Sequence, residues 1–580
     1  MNGEWTYSFD FSGSGLEKGW EKSQGFPNRI IVPFAPESKL SGVEFKDFIE
    51  HFWYQRNITV PKDWEGRRAM LNFGAVYYQA EVFLDGKFVT RHFGGTSSFG
   101  LDITKFVKPG GTHSLVVYVR SHLRDQMQPA GKQSTRLLSH GCNYTRTTGI
   151  WQTVWLEAVA DEGLKNVQVI TDIDQRQVVI HPRFVSLKGG SIRATIKDGG
   201  RIAGSVTSPA SESAPIVIPV KDAKLWSPES PFLYGVVYEV LNSKGEIVDT
   251  VNSYLGMRKV HAEGNRIFLN NKPIYLRLVL DQGYYPDSQW TAPSDADLKR
   301  DIELSMSVGF NGARLHQKVF EERFHYWADK LGYLTWGEAS NWGLDYNRPE
   351  AARIFTPEWI EILERDRNHP SIIAWTPNNE QNNIDRIHYP RFMQELYRVT
   401  KLVDPTRIFV GNSGGTHFAA EIYTVHNYEQ NPEALRKILW NDGKLMRAHQ
   451  FDIEPRTQFN TGSNFPEYNA AFAPIEYDGT IPYIIDEFGG VAFSGDRKAS
   501  GWGYGGTDSQ KEYYQRVGGM VDVILGLSPH IGGYCFTQLT DVEQEQNGLF
   551  FYDREPKFEP ARLKEIFGKA SAAPTGRTEK

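Results

Sequence analysis

The sequence predicts two β-sandwiches in series followed by a (β/α)8 barrel. Three observations carry that reading. Up to about residue 260 the chain is short β-branched and aromatic runs punctuated by Gly, Pro, Asp and Asn, and helical periodicity is nearly absent. From about residue 265 apolar strands alternate with amphipathic helices. Eight such strands in roughly 300 residues fit a closed parallel barrel, with a doubly wound open sheet as the alternative.

The elements follow in chain order. Phe52–Val60, Ala69–Phe73, Ala80–Leu84, Ser114–Arg120 and Thr153–Val159 are strands of the first sandwich. A seam falls near Asp161–Gly163, where GIWQTVWLEAVADEG closes one strand set and LKNVQVITDI opens another. The second set ends around SYLGMRKVHAEG. The domains are therefore 1–161, 162–261 and 262–570, and 571–580 is read as a disordered tail. Barrel strands are Pro273–Val279, Phe310–Leu315, Tyr333–Gly337, Ile372–Pro377, Ile408–Asn412, Ile422–His426, Tyr483–Glu487 and Ile531–Phe536. Helices are Ser294–Val308, Val319–Lys330, Pro357–Arg365, Pro390–Leu402 and Ser509–Leu525. The first of these opens on Ser294 with Asp295 and Asp297 behind it, an N-cap signal.

Composition narrows the function classes. The 580 residues allow two to four domains, and a 40% hydrophobic, 13% aromatic content excludes a disordered or collagenous chain. Sixty-four basic against 70 acidic residues give a net charge of −6, which argues against nucleic acid as a partner. No apolar run approaches the ~18 residues of a membrane helix, so no membrane partner is expected. MNGEWTYSFD has neither the basic nor the apolar region of a signal peptide. A cytoplasmic protein is expected, or a periplasmic or secreted one whose leader has been removed. Cys142 and Cys535 are too few for a disulfide framework or a four-cysteine zinc site. Homo-oligomerisation is left open.

Barrels carry their active sites at the C-terminal ends of the strands. Strand four ends on Asn379-Glu380 and strand seven on Asp486-Glu487. Strand two ends on Arg314 and His316, strand three near Glu338, and strand six on His426-Asn427-Tyr428. A lone strand-end carboxylate is more often a loop cap or ion-pair partner than a catalyst. Two of them facing one mouth, among these polar groups, are what glycoside hydrolysis requires. Gly411-Asn412-Ser413-Gly414-Gly415 also fits a nucleophile elbow, but the next strand follows in about ten residues and leaves little room for the required helix.

These residues resemble glycoside hydrolase family 2, which holds β-galactosidases, β-glucuronidases and β-mannosidases. RNHPSIIAWTPNNE and PYIIDEFGG resemble its acid/base and nucleophile strands. The stretch WYQRNITVPKDWEGRRAMLNFGAVYYQAEVFLDGKFVTRHFGGTSSFGLDIT with GIWQTVWLE resembles its jelly-roll sugar-binding domain. LWSPESPFLYGVVYEV with SYLGMRKV resembles its immunoglobulin-like domain, and GFNGARLH and DKLGYLTWGE resemble barrel strands two and three. The resemblance implies Glu380 as general acid/base and Glu487 as nucleophile, with Asn379 on the sugar 2-hydroxyl. It further implies that Arg314 and Tyr428 flank the nucleophile, while His316 and Glu338 shape the mouth. Retention of anomeric configuration comes with it.

Departures from the family pattern bear on the sugar. Magnesium-dependent galactosidases place an acidic residue and a histidine just beyond the strand-three Glu, where this chain has Asn341 and Gly343, so no metal and no cofactor are expected. The glucuronidase Asn-x-Lys element has no clear equivalent in TQLTDVEQEQNGLFFYDREPK, and Phe536 replaces a common Trp. Asp281, Gln282 and Asp541 are candidate sugar contacts. Trp336, Trp375 and Tyr428 are candidates to stack on a sugar face, with barrel packing equally open for Trp375. The expectation is a retaining exo-β-glycosidase acting on carbohydrate, β-galactosidase-like by default. β-Glucuronide, β-mannoside, β-glucoside and pentoside or furanoside specificities, a non-catalytic carbohydrate-binding protein, and an esterase using Ser413 stand as alternatives.

Overall fold

The computed structural model describes residues 1–381, 388–446, 473–495, 497 and 501–571. The segment read as a disordered tail lies, from residue 572 on, outside the described residues.

The N-terminal domain packs two antiparallel sheets. One has six strands in the order Asn28–Val32, Gly3–Phe9, His51–Thr59, Thr112–Arg120, Gln79–Leu84 and Lys87–Phe93. The other runs Val154–Val159, Arg68–Phe73 and Phe99–Asp102. Period-two alternation decides which face is dry: in RAMLNF, Ala69, Leu71 and Phe73 are buried, while Arg68, Met70 and Asn72 are only partly so. These residues join Phe52, Tyr54, Val82 and Val117 in one core.

The second domain pairs a three-stranded sheet (Leu164–Asp172, Gln177–Phe184, Ile216–Pro219) with a four-stranded one (Arg201–Pro209, Ser191–Asp198, Tyr234–Leu241, Ile247–Leu255). Seven antiparallel strands in two sheets make the immunoglobulin-like sandwich. Ile180 and Ile218 from one sheet meet Ala194, Val236 and Tyr238 from the other.

Eight parallel strands form the barrel: β1 (Leu276–Asp281), β2 (Gly312–Leu315), β3 (Leu334–Glu338), β4 (Ile372–Thr376), β5 (Ile408–Phe409), β6 (Tyr423–His426), β7 (Tyr483–Gly489) and β8 (Ile531–Thr537). Their order is β5-β4-β3-β2-β1-β8-β7-β6, so β1 pairs β8 and the curled sheet closes everywhere except between β5 and β6. The described helices are α1 (Asp295–Ser307), α2 (Glu322–Leu331), α3 (Glu350–Asp366), α4 (His388–Val403), α5 (Pro432–Leu439), α6 (Gln510–Gly526) and α7 (Pro560–Phe567). Leu276, Leu278, Leu280, Leu334, Ile484 and Cys535 fill the interior. A hairpin (Val260–Glu263, Arg266–Leu269) adds Val260, Ile267 and Leu269 to the same cluster. Each large apolar side chain so buried contributes about 1.5–3 kcal/mol.

Helix α3 starts seven residues before the predicted Pro357 and carries that proline inside it. Helices α5 and α7, which the patterning did not mark, each open on a proline behind Asn431 or Glu559.

Both sandwiches hold the barrel near α3 and β4. Arg258, at the end of the central sandwich, donates to the carbonyls of Pro370 (3.0 Å) and Ile372 (2.9 Å) where β4 begins. The jelly-roll holds the flank: Glu358 of α3 accepts from the backbone N–H and hydroxyl of Thr96 at 2.8 and 2.6 Å.

Candidate active site

The mouth of the barrel is built from strand ends, and irregular pairing aims the side chains. In β7, Ile485 pairs Val425 while Glu487 pairs His426, so Asp486 is an extra residue on the bulged strand. A bulge breaks the alternation of side chains, and here it turns two successive carboxylates toward one centre. Asp486 accepts from Ser413 Oγ at 2.5 Å and lies 3.3 Å from His426 Nε2. Glu487 accepts from Arg314 Nη1 at 2.9 Å and Tyr428 Oη at 2.5 Å. Beyond β4, Asn378-Asn379 pair Asn412-Ser413 in a short parallel ladder, and Glu380 N–H donates to the Ser413 carbonyl at 2.8 Å. Glu380 follows with φ +49°, a left-handed conformation that costs a non-glycine residue of order 1–3 kcal/mol. That kink sets its carboxylate 2.7 Å from His426 Nδ1.

Arg314, 0% exposed, organises the centre. Its guanidinium donates to Glu338 at 2.7 Å, Glu487 at 2.9 Å, the Asp486 carbonyl at 3.1 Å, and Asn379 Oδ1. A fully dry cation is sustained only by such saturation, and losing it would strand two carboxylates. Burial alone would raise the Glu487 carboxyl; the charges of His426, Arg314 and Lys132 overcome that and hold it below the usual carboxylate range. His426 shows the converse. Burial would lower its pKa, but Glu487, Asp486 and Glu380 push it up to about 10, so it is an imidazolium between carboxylates. His316, whose Nδ1 lies 2.9 Å from Glu338, is kept neutral by burial and by Lys132 and Arg314.

Carboxylate and imidazole atoms of Glu380, His426 and Glu487 all lie within 4.8 Å of one another. That donor set would accept a metal ion, and the His426 imidazolium already supplies positive charge there.

The structure thus gathers Glu380, Glu487, Asn379, Arg314, His316, Glu338 and Tyr428 into one cluster. Gln282, at the end of β1, donates to Gln538 at 2.8 Å, and its own carbonyl oxygen is buried with no partner among the described residues. Four other predicted contacts face elsewhere. Asp281 shares the outward parity of Val279, which packs in the helical layer; it accepts from Gly283 N–H and lies in the field of Asp301 and Arg554. Trp336 is fully buried among barrel-interior aliphatics, its indole N–H on Thr376, so it offers no face to a sugar. Asp541 is held by Lys557 at 2.5 Å and by Gly548 N–H as a loop clamp. Trp375 packs under α3 and α4 with its N–H on Asp404.

Ser413, His426 and Asp486 have the residue types of a hydrolase triad but not its geometry. Both Ser413 Oγ (3.0 Å) and Asp486 approach the same ring nitrogen, Nε2, of a histidine that is already protonated and cannot act as base. The glycines beside Ser413 serve packing: a Cβ on Gly414 would lie 2.3 Å from the His426 ring.

Residues that the strand ends did not reveal also reach the mouth. Trp342 donates to the Asn379 carbonyl at 3.0 Å, Tyr504 stacks on Tyr428 at 3.4 Å, and Lys132 arrives from the jelly-roll.

Family models match along the chain: the sugar binding domain of the glycosyl hydrolases family 2 over residues 1–158, the family 2 model over 150–258, and the family 2 TIM barrel domain over 260–453. A β-glucuronidase of Paenibacillus borealis is 25% identical over an alignment covering 99% of this chain and 97% of that protein. A β-galactosidase of Thermoanaerobacter pseudethanolicus is 24% identical over 74% of this chain and 56% of that protein. The solved β-glucuronidase of Ruminococcus gnavus in complex with D-glucuronic acid shares the fold, with a TM-score of 0.77 at 20% identity, covering 98% of this chain and 97% of that one. With these matches spanning both sandwiches and the barrel, the chain is a member of glycoside hydrolase family 2.

Proposed function

We propose that this hydrolase is a retaining exo-β-glycosidase in which Glu487 is the nucleophile and Glu380 the acid/base, and that its substrate is a terminal β-glucuronide rather than the β-galactoside expected by default. The observation that carries the mechanism is the approach of the two carboxylates: an oxygen of Glu380 and one of Glu487 lie within 4.8 Å. Retaining sites hold their carboxyl groups about 5–5.5 Å apart, whereas inverting ones leave about 6.5–9.5 Å for a water. The names of the relatives, a glucuronidase over nearly the full length and a galactosidase over part of it, support the sugar.

Glu487, ionised and fixed by Arg314 and Tyr428, attacks the anomeric carbon as the glycosidic bond breaks. The proton for the leaving oxygen comes from Glu380, whose carboxyl lies at the mouth 2.7 Å from His426 Nδ1. Asn379, its Oδ1 occupied by Arg314, presents its amide N–H groups to the sugar 2-hydroxyl. In the second step Glu380 takes a proton from water, the water oxygen bonds to the anomeric carbon, and Glu487 leaves as carboxylate. The test is proton NMR of the sugar first released from an aryl β-glucuronide. The β anomer is expected before mutarotation; an initial α anomer would overturn the retaining reading.

A further inference from the structure

Lys132 is a buried cation that the double displacement leaves unused. Its loop leaves the jelly-roll and crosses the barrel mouth. Ala130 N–H donates to the Trp342 carbonyl at 2.6 Å and Gly131 N–H to the Ser340 carbonyl at 3.2 Å, just past β3. Further along, the Gly141 carbonyl accepts from Trp502 Nε1 (2.7 Å) and Gln544 Nε2 (2.6 Å) on the other side of the mouth. Gly131 has φ +59°, and a Cβ on it would lie 2.3 Å from the Gln317 carbonyl oxygen, so only glycine allows this approach to β2.

Lys132 itself is 6% exposed. Its ammonium lies 5.5 Å from the Trp342 ring centroid and 5.9 Å from that of Tyr144, and among the described residues no oxygen hydrogen-bonds it or pairs with it. Glu545, the strongest charge acting on it, is committed elsewhere: one oxygen accepts from Tyr144 Oη at 2.5 Å, the other from Asn547 at 3.2 Å. Burial lowers the pKa of Lys132, but Glu545, Cys142, Glu487 and Glu380 more than reverse this, so the charge persists. Lys132 in turn acts on Glu487 and His316, which places it within electrostatic reach of the reacting centre. A chain of amides, Gln282 to Gln538 (2.8 Å) to Asn547 (2.6 Å), leads from the end of β1 to Glu545 beside it.

A largely buried ammonium with no hydrogen-bond acceptor among the described residues is costly unless an anion completes it. We propose that Lys132 is a specificity-determining residue that binds a carboxylate carried by the terminal sugar, so that the jelly-roll, not the barrel, selects uronosides. A neutral hydroxymethyl group in the same place leaves the cation unpaired and is disfavoured. This rests on the glycosidase reading above.

The test compares kcat/KM for paired aryl β-glycosides, glucuronide against glucoside and galacturonide against galactoside, and for the carboxamide of the glucuronide. The wild-type protein is expected to prefer the free acid of at least one pair over both its hydroxymethyl partner and the amide. Lys132→Met is expected to cut that acid-over-neutral ratio by about 10- to 100-fold, the range for a hydrogen bond to a charged group, and Lys132→Arg by less. An unchanged ratio in a folded Lys132→Met overturns the assignment. So does a wild-type protein that hydrolyses the amide as well as the acid, a result that needs no variant. Hydrolysis of neutral glycosides alone sinks the Lys132 proposal and leaves the glycosidase; hydrolysis of none sinks both.

Discussion

Glu487 and Glu380 face one mouth from opposite strands, and they differ in how the protein holds them. Glu487 sits in a dry frame: the bulged β7 carries it, Arg314 and Tyr428 each take an oxygen, and the surrounding cations keep it ionised. Glu380 is only partly buried, is itself left-handed, and among the described residues has one short side-chain contact, to His426. A nucleophile must be charged and still, so it is caged. An acid/base must exchange protons with a leaving group and then with water, so it is left open on one side. The roles proposed for them rest on this difference in surroundings, more than on the presence of two carboxylates.

Removing each carboxylate should break that comparison most visibly. Glu487→Gln is expected to lose about 10⁴-fold or more in kcat on every aryl glycoside, because no other group can form the glycosyl-enzyme. Glu380→Gln should lose about 10²- to 10³-fold on poor leaving groups and far less on a dinitrophenyl glycoside, which departs without protonation. Equal losses regardless of leaving group would erase the distinction.

A second prediction removes the charge between them. His426→Gln should raise the pKa of Glu487, since His426 is the leading cation that lowers it, and so move the acid limb of the kcat/KM–pH profile to higher pH. The same histidine links pH to stability. Its pKa is raised to about 10, above the ordinary ~6.5, so its contribution is fully present below about pH 6.5 and is lost as pH rises toward 10. Thermal melts across that window should fall less steeply for His426→Gln than for the wild type.

The smallest effect contrasts the pocket with the helical layer. Burial and Asp301 raise Asp281 to about 7, so its ionisation costs stability as pH rises from about 4 through 7. Asp281→Asn keeps an acceptor for Gly283 N–H. It should therefore leave kcat/KM within about threefold and keep or raise Tm at pH 8. A loss above tenfold would place Asp281 in the pocket after all.

Much of this was written in the strand ends. Glu380, Glu487, Arg314 and Tyr428 are legible because a barrel concentrates its chemistry there. Asp281 and Trp336 lie outside the pocket, and for Asp281 a local signal says so: Leu276, Leu278 and Leu280 point inward, which sends Asp281 outward with Val279. The bulge at Asp486 could not be read, because it is defined by pairing with β6 and β8 and not by composition. Lys132 was illegible for a plainer reason. It lies in a sandwich loop nearly 250 residues before Glu380, and only the docking of two domains brings the two together.

The central claim is the assignment of Glu487. A 2-deoxy-2-fluoro aryl β-glucuronide with a good leaving group slows both steps by destabilising positive charge at the anomeric carbon, and slows turnover of the intermediate most. Mass mapping of the inactivated protein should then find one sugar equivalent on the peptide carrying PYIIDEFGG, at Glu487. A label on the peptide carrying Glu380 would contradict the account.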